Sequence, residues 1–410
     1  MLLRRAGILA LVLVLCGAPA FGYSVLTHEQ LVDLLWADHI RPLLLARYPG
    51  LTPDQMKEAH AYAYGGAVIQ DLGYYPFGSK LFSDMVHYVR SGDFVSELIR
   101  QSENVDEYAF ALGALSHYAG DAAGHPGSVN QAVAIEYPKL RAKFGNFVTY
   151  DEAKTQHLKI EFGFDMEQVA RHRYAPQQYH DYIGFQVSKA LLERVFPVVY
   201  GLPLKQVLPN EDLAIGTFRW SVSRVIPEMT QVALQVHGKD LVREDHNFDR
   251  RKFLYRLSRS DYEKDWGRSF QRPGWRTRLL AFCIRLLPKV GPLRAVAFND
   301  PTTQTENLYV QSINASFEQY RGYLEAIGRA RLQLPNDDLD DGRPTRAAEY
   351  ALADTTYAQW LDKLAAGHFS STDAAVRDNI LAFYADPAAK ASPASQAELA
   401  QLRSQAVLSY

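Results

Sequence analysis

The chain of 410 residues has little cysteine, with only Cys16 and Cys283. Cys16 lies in an apolar N-terminal segment that we expect to be removed, which leaves one thiol and no intramolecular disulfide. Stability must then come from packing and from any metal that the chain binds, because metal binding adds directly to the free energy of folding.

The chain also lacks a large charge of either sign. Its 44 Lys and Arg residues nearly balance 46 Asp and Glu residues, giving a net charge of −2. This balance argues against a broad nucleic-acid-binding surface. We find no Ser, His or Cys nucleophile constellation and no glycine loop that would cradle phosphate. Hydrolytic chemistry, if present, would therefore favour metal-activated water.

Few runs of β-branched residues occur, no internal repeat is evident, and apolar residues recur at helical spacing. We predict an all-α protein. Arg4 and Arg5, the apolar run 8–15 and the small residues around Ala20 are typical of a signal peptide over residues 1–22. We therefore expect export to the periplasm or outside the cell. A change of composition after residue 249 divides the remainder into a first domain over 23–249 and a C-terminal helical region over 250–410.

Composition changes at the start of the C-terminal region. Residues 250–298 carry thirteen Lys and Arg against three acidic residues, and their second half is apolar with arginine interleaved. Such a segment is typical of a helix that lies at a membrane surface. The alternative is a helix whose apolar face packs on the first domain while arginine side chains extend outward. Residues 336–342 form an acidic loop that is too irregular for a calcium loop.

The run around His117 carries the clearest chemical signal. Asp121 follows four residues later, so a helix places both side chains on one face. An imidazole nitrogen and a carboxylate oxygen together suit Zn²⁺. Pro126 disfavours helical geometry at His125, which we expect at or just past the helix end. Asp121 would then lie between two histidines, which is the position of a bridging carboxylate in a site that holds more than one metal ion.

A second pair repeats this spacing. His157 and Glu161 are again four apart, and Thr149 with Glu152 predicts a capping box at the start of that helix. A single pair of this kind is most often a surface helix pair, but two pairs within about fifty residues favour a metal centre. Three upstream residues are further candidates: His28 after a predicted Thr27–Gln30 capping box, Asp71 in a turn-rich stretch, and His87.

In order and approximate spacing, these residues resemble the ligand series of the zinc-dependent phospholipase C family, over roughly residues 23–165. That family is all-α, and single-strand-specific zinc nucleases share its fold. The resemblance implies a phospholipase C/nuclease-like helical bundle with a C-terminal helical extension, and two to three zinc ions. It implies one zinc on Asp71, His87, His117 and Asp121, a second on His125, His157 and Glu161, and a third on His28, Asp121 and the amino terminus of Tyr23.

Two features depart from the bacterial phospholipases C and the nucleases. Only three residues separate Asp121 from His125, and Tyr23 stands where those enzymes begin with Trp. The short spacing is more similar to the catalytic domain of glycosylphosphatidylinositol-specific phospholipase D. The resemblance also implies that Asp71 acts as the base for the attacking water.

We therefore expect a secreted, zinc-dependent phosphodiester hydrolase that cleaves phospholipids. Peripheral membrane contact through residues 250–298 is one of the two possibilities for that segment, and packing on the catalytic domain, residues 23–249, is the favoured one. Two alternatives remain at this point. One is a single-strand nuclease or nucleotidase on the same fold, although the charge gives no reason to expect nucleic acid. The other is a zinc-binding protein with weak catalytic activity.

Overall fold

A computed structural model of the chain describes residues 25–170, 185–222 and 300–407. These ranges are helical almost throughout, and β-structure among them is limited to a two-residue antiparallel pair. The prediction of an all-α helical bundle is confirmed. Tyr23, the predicted domain boundary at 249/250 and the basic segment 250–298 lie outside the described residues, so the predictions that concern them stay predictions.

The first part of the chain forms eight helices in the range 25–144, numbered here in chain order. They are α1 (Val25–Leu35), α2 (Arg41–Arg47), α3 (Pro53–Ala67), α4 (Lys80–Tyr88), α5 (Ser91–Gln101), α6 (Val105–Gly124), α7 (Asn130–Glu136) and α8 (Pro138–Phe144). Short π-helical turns follow α1 and α6, and a 3-10 helix, Ile69–Tyr74, follows α3.

The remaining described elements are mostly helices as well. They are α9 (Lys154–Ala170), α10 (Lys189–Tyr200), α11 (Leu204–Val207), α12 (Glu211–Trp220), α13 (Thr303–Gly328), β1 (Asp337–Asp338), β2 (Arg343–Pro344), α14 (Ala351–Ala366), α15 (Ala374–Ala385) and α16 (Pro393–Val407). No helix among the described residues is both long enough and apolar enough to cross a bilayer.

Helix α6 lies at the centre of the bundle. Nearly every residue from Glu107 to Asp121 is buried, which is the pattern of a helix surrounded on all sides. Helices α1, α3, α5 and α13 all pack against it. The α6 N-terminus is capped by Asn104, whose side chain accepts the Glu107 N–H at 3.0 Å. Any polar side chain on the inner turns of α6 must therefore be satisfied inside the protein.

Helices α3 and α6 approach unusually closely because glycines face the contact from both sides. A Cβ built on Gly66 would lie 1.9 Å from the Phe110 carbonyl oxygen, and one on Gly113 would lie 2.0 Å from the Ala63 oxygen. No larger residue fits at either position without moving a helix. This contact brings the C-terminal end of α3 beside the His117 turn of α6.

The C-terminal helix α13 packs along the same central helix. The Tyr320 hydroxyl donates a hydrogen bond to the Leu112 carbonyl at 2.9 Å, and Tyr320 is fully buried. Helix α14 packs against α4, and the Trp360 indole donates to the Tyr200 carbonyl at 2.8 Å. Residues after 300 therefore form part of the core that surrounds α6.

Two predicted capping boxes are wrong. Among the described residues α1 begins at Val25, and the Thr27 hydroxyl donates to Asp165 Oδ1 at 2.8 Å instead of capping the helix. The Thr149 N–H does bond Glu152 Oε2 at 2.9 Å, but this contact closes a turn and α9 begins at Lys154. At Thr27 a distant carboxylate replaces the local cap, and at Thr149 the local bond forms before the helix begins. By contrast, Thr52 does cap α3.

Candidate metal centre

The paired side chains of α6 meet as the sequence predicted. His117 Nε2 lies 3.0 Å from Asp121 Oδ2, and both side chains are fully buried. The other ring nitrogen of His117, Nδ1, lies 2.9 Å from the Ala67 carbonyl at the end of α3. A carbonyl can only accept, so Nδ1 carries the proton and Nε2 offers its lone pair to the interior.

His87 on α4 is held in the same way. Its Nδ1 lies 2.8 Å from the Ser83 carbonyl, and its Nε2 lies only 3.2 Å from His117 Nε2. Asp71 Oδ1 is 3.5 Å from His87 Nε2, and Asp121 Oδ2 is 3.4 Å from it. Two imidazole lone pairs and two carboxylates thus face one point. Their negative charge and lone pairs repel one another unless a cation lies between them.

A second group forms where α6 ends. Helix α6 ends at Gly124 and His125 opens the π-helical turn, so the predicted position of His125 at the helix end agrees. The predicted effect of Pro126 is wrong, because His125 keeps right-handed helical geometry with φ −61° and ψ −58°. His125 Nε2 lies 3.6 Å from both Asp121 Oδ1 and Glu161 Oε1. His157 Nδ1 lies 2.9 Å from Glu161 Oε1. The two pairs predicted from spacing therefore face each other across a single buried cluster.

His28 completes the cluster from α1. Its Nε2 lies 3.3 Å from Asp121 Oδ1, and its ring stacks on His117 with centroids 4.1 Å apart. Asp121 therefore contacts four imidazole rings with its two oxygens, as a carboxylate that bridges metals would. Every candidate ligand among the described residues reaches the cluster; they are His28, Asp71, His87, His117, Asp121, His125, His157 and Glu161.

Burial and mutual charge set the protonation of this cluster when no metal is bound. Burial disfavours the charged ring of His117, but the adjacent Asp121 carboxylate outweighs that effect and raises its pKa to about 9. Burial lowers the pKa of His28 to about 4 and that of His157 to about 3. In the metal-free protein a proton thus partly substitutes for a cation between His117 and Asp121.

The pKa values of the buried carboxylates also depend on nearby positive charge. Burial raises the pKa of Asp71 and raises that of Glu161 further. Burial also acts to raise the pKa of Asp121, but His117 and His125 hold it well below its usual range. Several ionisable groups with strongly shifted pKa values in one cluster are typical of a functional site.

The donor set fits zinc. Buried atoms without a hydrogen bond include Asp71 Oδ1, His157 Nδ1 and both carboxylate oxygens of Asp121 and of Glu161. Leaving such a group unsatisfied typically costs about 1–3 kcal/mol, and more when it is charged. These atoms come from imidazole and carboxylate groups, which are zinc donors. A bound dication would satisfy several of them at once.

Sequence reasoning missed one residue of the cluster. Asp340, in the acidic loop that we did not expect to bind metal, lies with Oδ1 3.0 Å from His125 Nδ1 and 3.5 Å from His157 Nε2. It forms with those two histidines one of three groups whose donor atoms could share a metal ion; the other groups are His28, His117, Asp121 and Asp71, His87, His117. The four aspartates at 337–341 were the available signal.

Comparison with known proteins agrees with this geometry. Residues 27–209 match the family model described as zinc dependent phospholipase C. Searches of curated proteins and of solved structures found no match. The matched range includes every predicted ligand except Tyr23 and does not reach Asp340. Residues 27–209, which supply most of the buried histidine and carboxylate cluster, are therefore similar to the zinc-dependent phospholipase C family, and this similarity supports phosphodiester hydrolysis.

Proposed function

We propose that this protein is an exported zinc-dependent hydrolase that cleaves phospholipids at a phosphodiester bond. The observation that carries the proposal is the convergence of eight His, Asp and Glu side chains, from four α-helices, one π-helical turn and one 3-10 helix, on Asp121 and its neighbours. A phospholipid is the substrate class that the family match implies.

The residues divide into the sets that would hold the metals. Asp71, His87, His117 and Asp121 would hold the first zinc, and His125, His157 and Glu161 would hold the second. His28 and Asp121 would hold a third, together with an amino terminus at Tyr23. Zinc bound at such a centre polarises the phosphoryl oxygens and lowers the pKa of a coordinated water to about 7.

Asp71 is our candidate for the base. Burial raises its pKa above the ordinary value for aspartate in the metal-free protein, and a cation bound beside it would oppose that rise and keep the carboxylate charged. The 3-10 helix fixes its backbone, since the Asp71 N–H donates to the Val68 carbonyl at 3.1 Å. The carboxylate is thereby held beside the His87 ring and can accept a proton from an attacking water.

Aromatic rings lie next to this base. The ring of Tyr74, which is partly exposed, lies 6.2 Å from His87 and 6.0 Å from Tyr150. Tyr150 in turn lies 5.6 Å from His157. These rings give the cluster an apolar border, which suits the acyl or glycerol part of a lipid.

The test is a substrate panel with the zinc-loaded protein without residues 1–22. Phosphatidylcholine vesicles, vesicles that contain a phosphatidylinositol glycolipid, and single-stranded DNA are compared side by side. We expect zinc-dependent cleavage of a lipid, and the product distinguishes two modes: a phosphorylated head group indicates C-type cleavage, and phosphatidic acid indicates D-type cleavage. Cleavage of DNA alone would assign the site to the nuclease function instead.

The base is tested by Asp71→Asn, which keeps the volume of the side chain. Loss of a general base costs about 10²–10⁴ in rate, and loss of an anionic ligand adds to this. Asp106→Asn is the matched control, since Asp106 lies eleven residues before His117 on the same helix, about 16 Å along its axis. It should retain activity. Equal activity of Asp71→Asn and the control would exclude Asp71 as the base.

A further inference from the structure

The loop at residues 335–342 is fastened to the metal centre, although it lies outside the range that matches the family. The Leu339 N–H donates to the backbone carbonyl of His87 at 3.2 Å, and the Tyr118 hydroxyl donates to the Pro335 carbonyl at 2.7 Å. Gly342 has φ +71°, and a Cβ there would lie 2.4 Å from the Ala122 carbonyl. The loop therefore rests directly on α6, one residue past Asp121.

Within this loop the carboxylate of Asp340 points at the second group of histidines. Its Oδ1 lies 3.0 Å from His125 Nδ1, while its Oδ2 accepts the Tyr150 N–H at 3.1 Å. Asp340 is buried, and it lies 215 residues along the chain from His125 and 190 residues from Tyr150. An anionic carboxylate beside Nδ1 places the ring proton on that nitrogen. The lone pair that can bind a metal is then on Nε2, which faces Asp121 and Glu161.

Asn130 fixes the tautomer of His157 in a related way. Its Nδ2 donates to the Asp340 backbone carbonyl at 2.7 Å, so the opposite end of the amide, Oδ1, must be the atom that lies 2.7 Å from His157 Nε2. An amide oxygen only accepts, which places the ring proton on Nε2. His157 Nδ1, 2.9 Å from Glu161 Oε1, is then the nitrogen with a free lone pair.

The alternative is that Asp340 itself binds the metal, between His125 Nδ1 and His157 Nε2. That arrangement would take the His157 Nε2 proton away from Asn130. It would place the His157 proton on Nδ1, 2.9 Å from Glu161 Oε1, and leave Glu161 Oε2 buried without a partner. The hydrogen bonds of Asn130 and Tyr150 therefore favour a role for Asp340 outside the ligand set.

We propose that Asp340 and Asn130 are positioning residues that fix the tautomers of His125 and His157, so that a loop outside the matched family domain sets the affinity of the second zinc site. The proposal rests on the zinc centre of the proposed function and is independent of the substrate. Partners of this kind typically change metal affinity about 10–100-fold when they are removed.

The first experiment measures zinc affinity by chelator competition on the full mature chain. Asp340→Asn should weaken one zinc site about 10–100-fold and leave the total zinc at saturation and the other sites unchanged. Asp341→Asn is the matched control, because Asp341 lies in the same loop but pairs with exposed Arg343 at 2.8 Å. Loss of one whole zinc equivalent at saturation would show that Asp340 is a ligand, and unchanged affinity would show that it has no role at the site.

A second measurement needs no variant and therefore does not depend on whether Asp340→Asn folds. The wild-type zinc protein is labelled with ¹⁵N-histidine, and NMR identifies the protonated nitrogen of each ring. We expect His125 to be protonated at Nδ1 and His157 at Nε2. Either ring with the opposite tautomer would overturn the proposal. Both measurements are made without substrate, so an error in the proposed substrate would leave their outcome unchanged.

Discussion

The contact of Gly66 and Gly113 links the packing of the bundle to the metal centre, and Gly113→Ala tests that link. The added Cβ would lie 2.0 Å from the Ala63 carbonyl oxygen, whereas real contacts of this kind exceed 3.0 Å. Helices α3 and α6 must therefore separate by about 1 Å. His117 lies one turn beyond Gly113, so its 2.9 Å hydrogen bond to the Ala67 carbonyl lengthens beyond hydrogen-bonding distance.

The expected loss of stability follows from three contributions. Overpacking of a core contact costs about 1–3 kcal/mol. The lost hydrogen bond costs about 0.5–1.5 kcal/mol. Ala in place of Gly stabilises the helix by about 1 kcal/mol. The net destabilisation is about 0.5–3.5 kcal/mol. Zinc affinity should fall too, by about 10–100-fold, because His117 loses the contact that orients its ring.

The assay combines thermal unfolding of the metal-free protein with chelator competition for zinc. Gly322→Ala on α13 is the control, since nothing lies within 4 Å of a Cβ at that position. This variant should unfold at a slightly higher temperature than wild type, because its helix gains up to about 1 kcal/mol. If Gly113→Ala matched Gly322→Ala in both melting temperature and zinc affinity, the close helix contact would have no role in building the site.

Two further predictions concern metal and pH. Chelation of zinc, or His117→Ala, should lower both bound metal and melting temperature, because metal binding is coupled to folding; elemental analysis with calorimetry checks this, and an unchanged melting temperature would contradict it. Burial raises the pKa of Glu136 from 4.5 to about 7, although the Thr305 hydroxyl opposes the rise. The raised folded-state pKa stabilises the fold below about pH 4.5, and this contribution is lost as the pH rises through 7. Glu136→Gln should therefore raise the melting temperature at pH 8 and change it little at pH 5, whereas an equal effect at both pH values would contradict the assignment.

Local spacing was sufficient to predict that each of the two His and acid pairs lies on one helix face. Four residues along a helix return a side chain to the same face, and this holds for His117 with Asp121 and for His157 with Glu161. The all-α class followed from apolar spacing in the same way. Capping was less predictable, because the Thr27 hydroxyl has a partner in Asp165, 138 residues away, that the local pattern cannot reveal.

The sequence by itself therefore determined which residue types could bind zinc, their order and the helix faces that carry them. The tertiary structure alone decided that the two pairs face each other, with His125 between Asp121 and Glu161. A separate contact between α3 and α6, which only glycine permits at Gly66 and Gly113, brings the Ala67 carbonyl to His117. The tertiary structure also brought Asp340 to His125. The physical reason is that covalent spacing fixes only neighbours within one helix, whereas contacts between distant side chains depend on how the whole core packs.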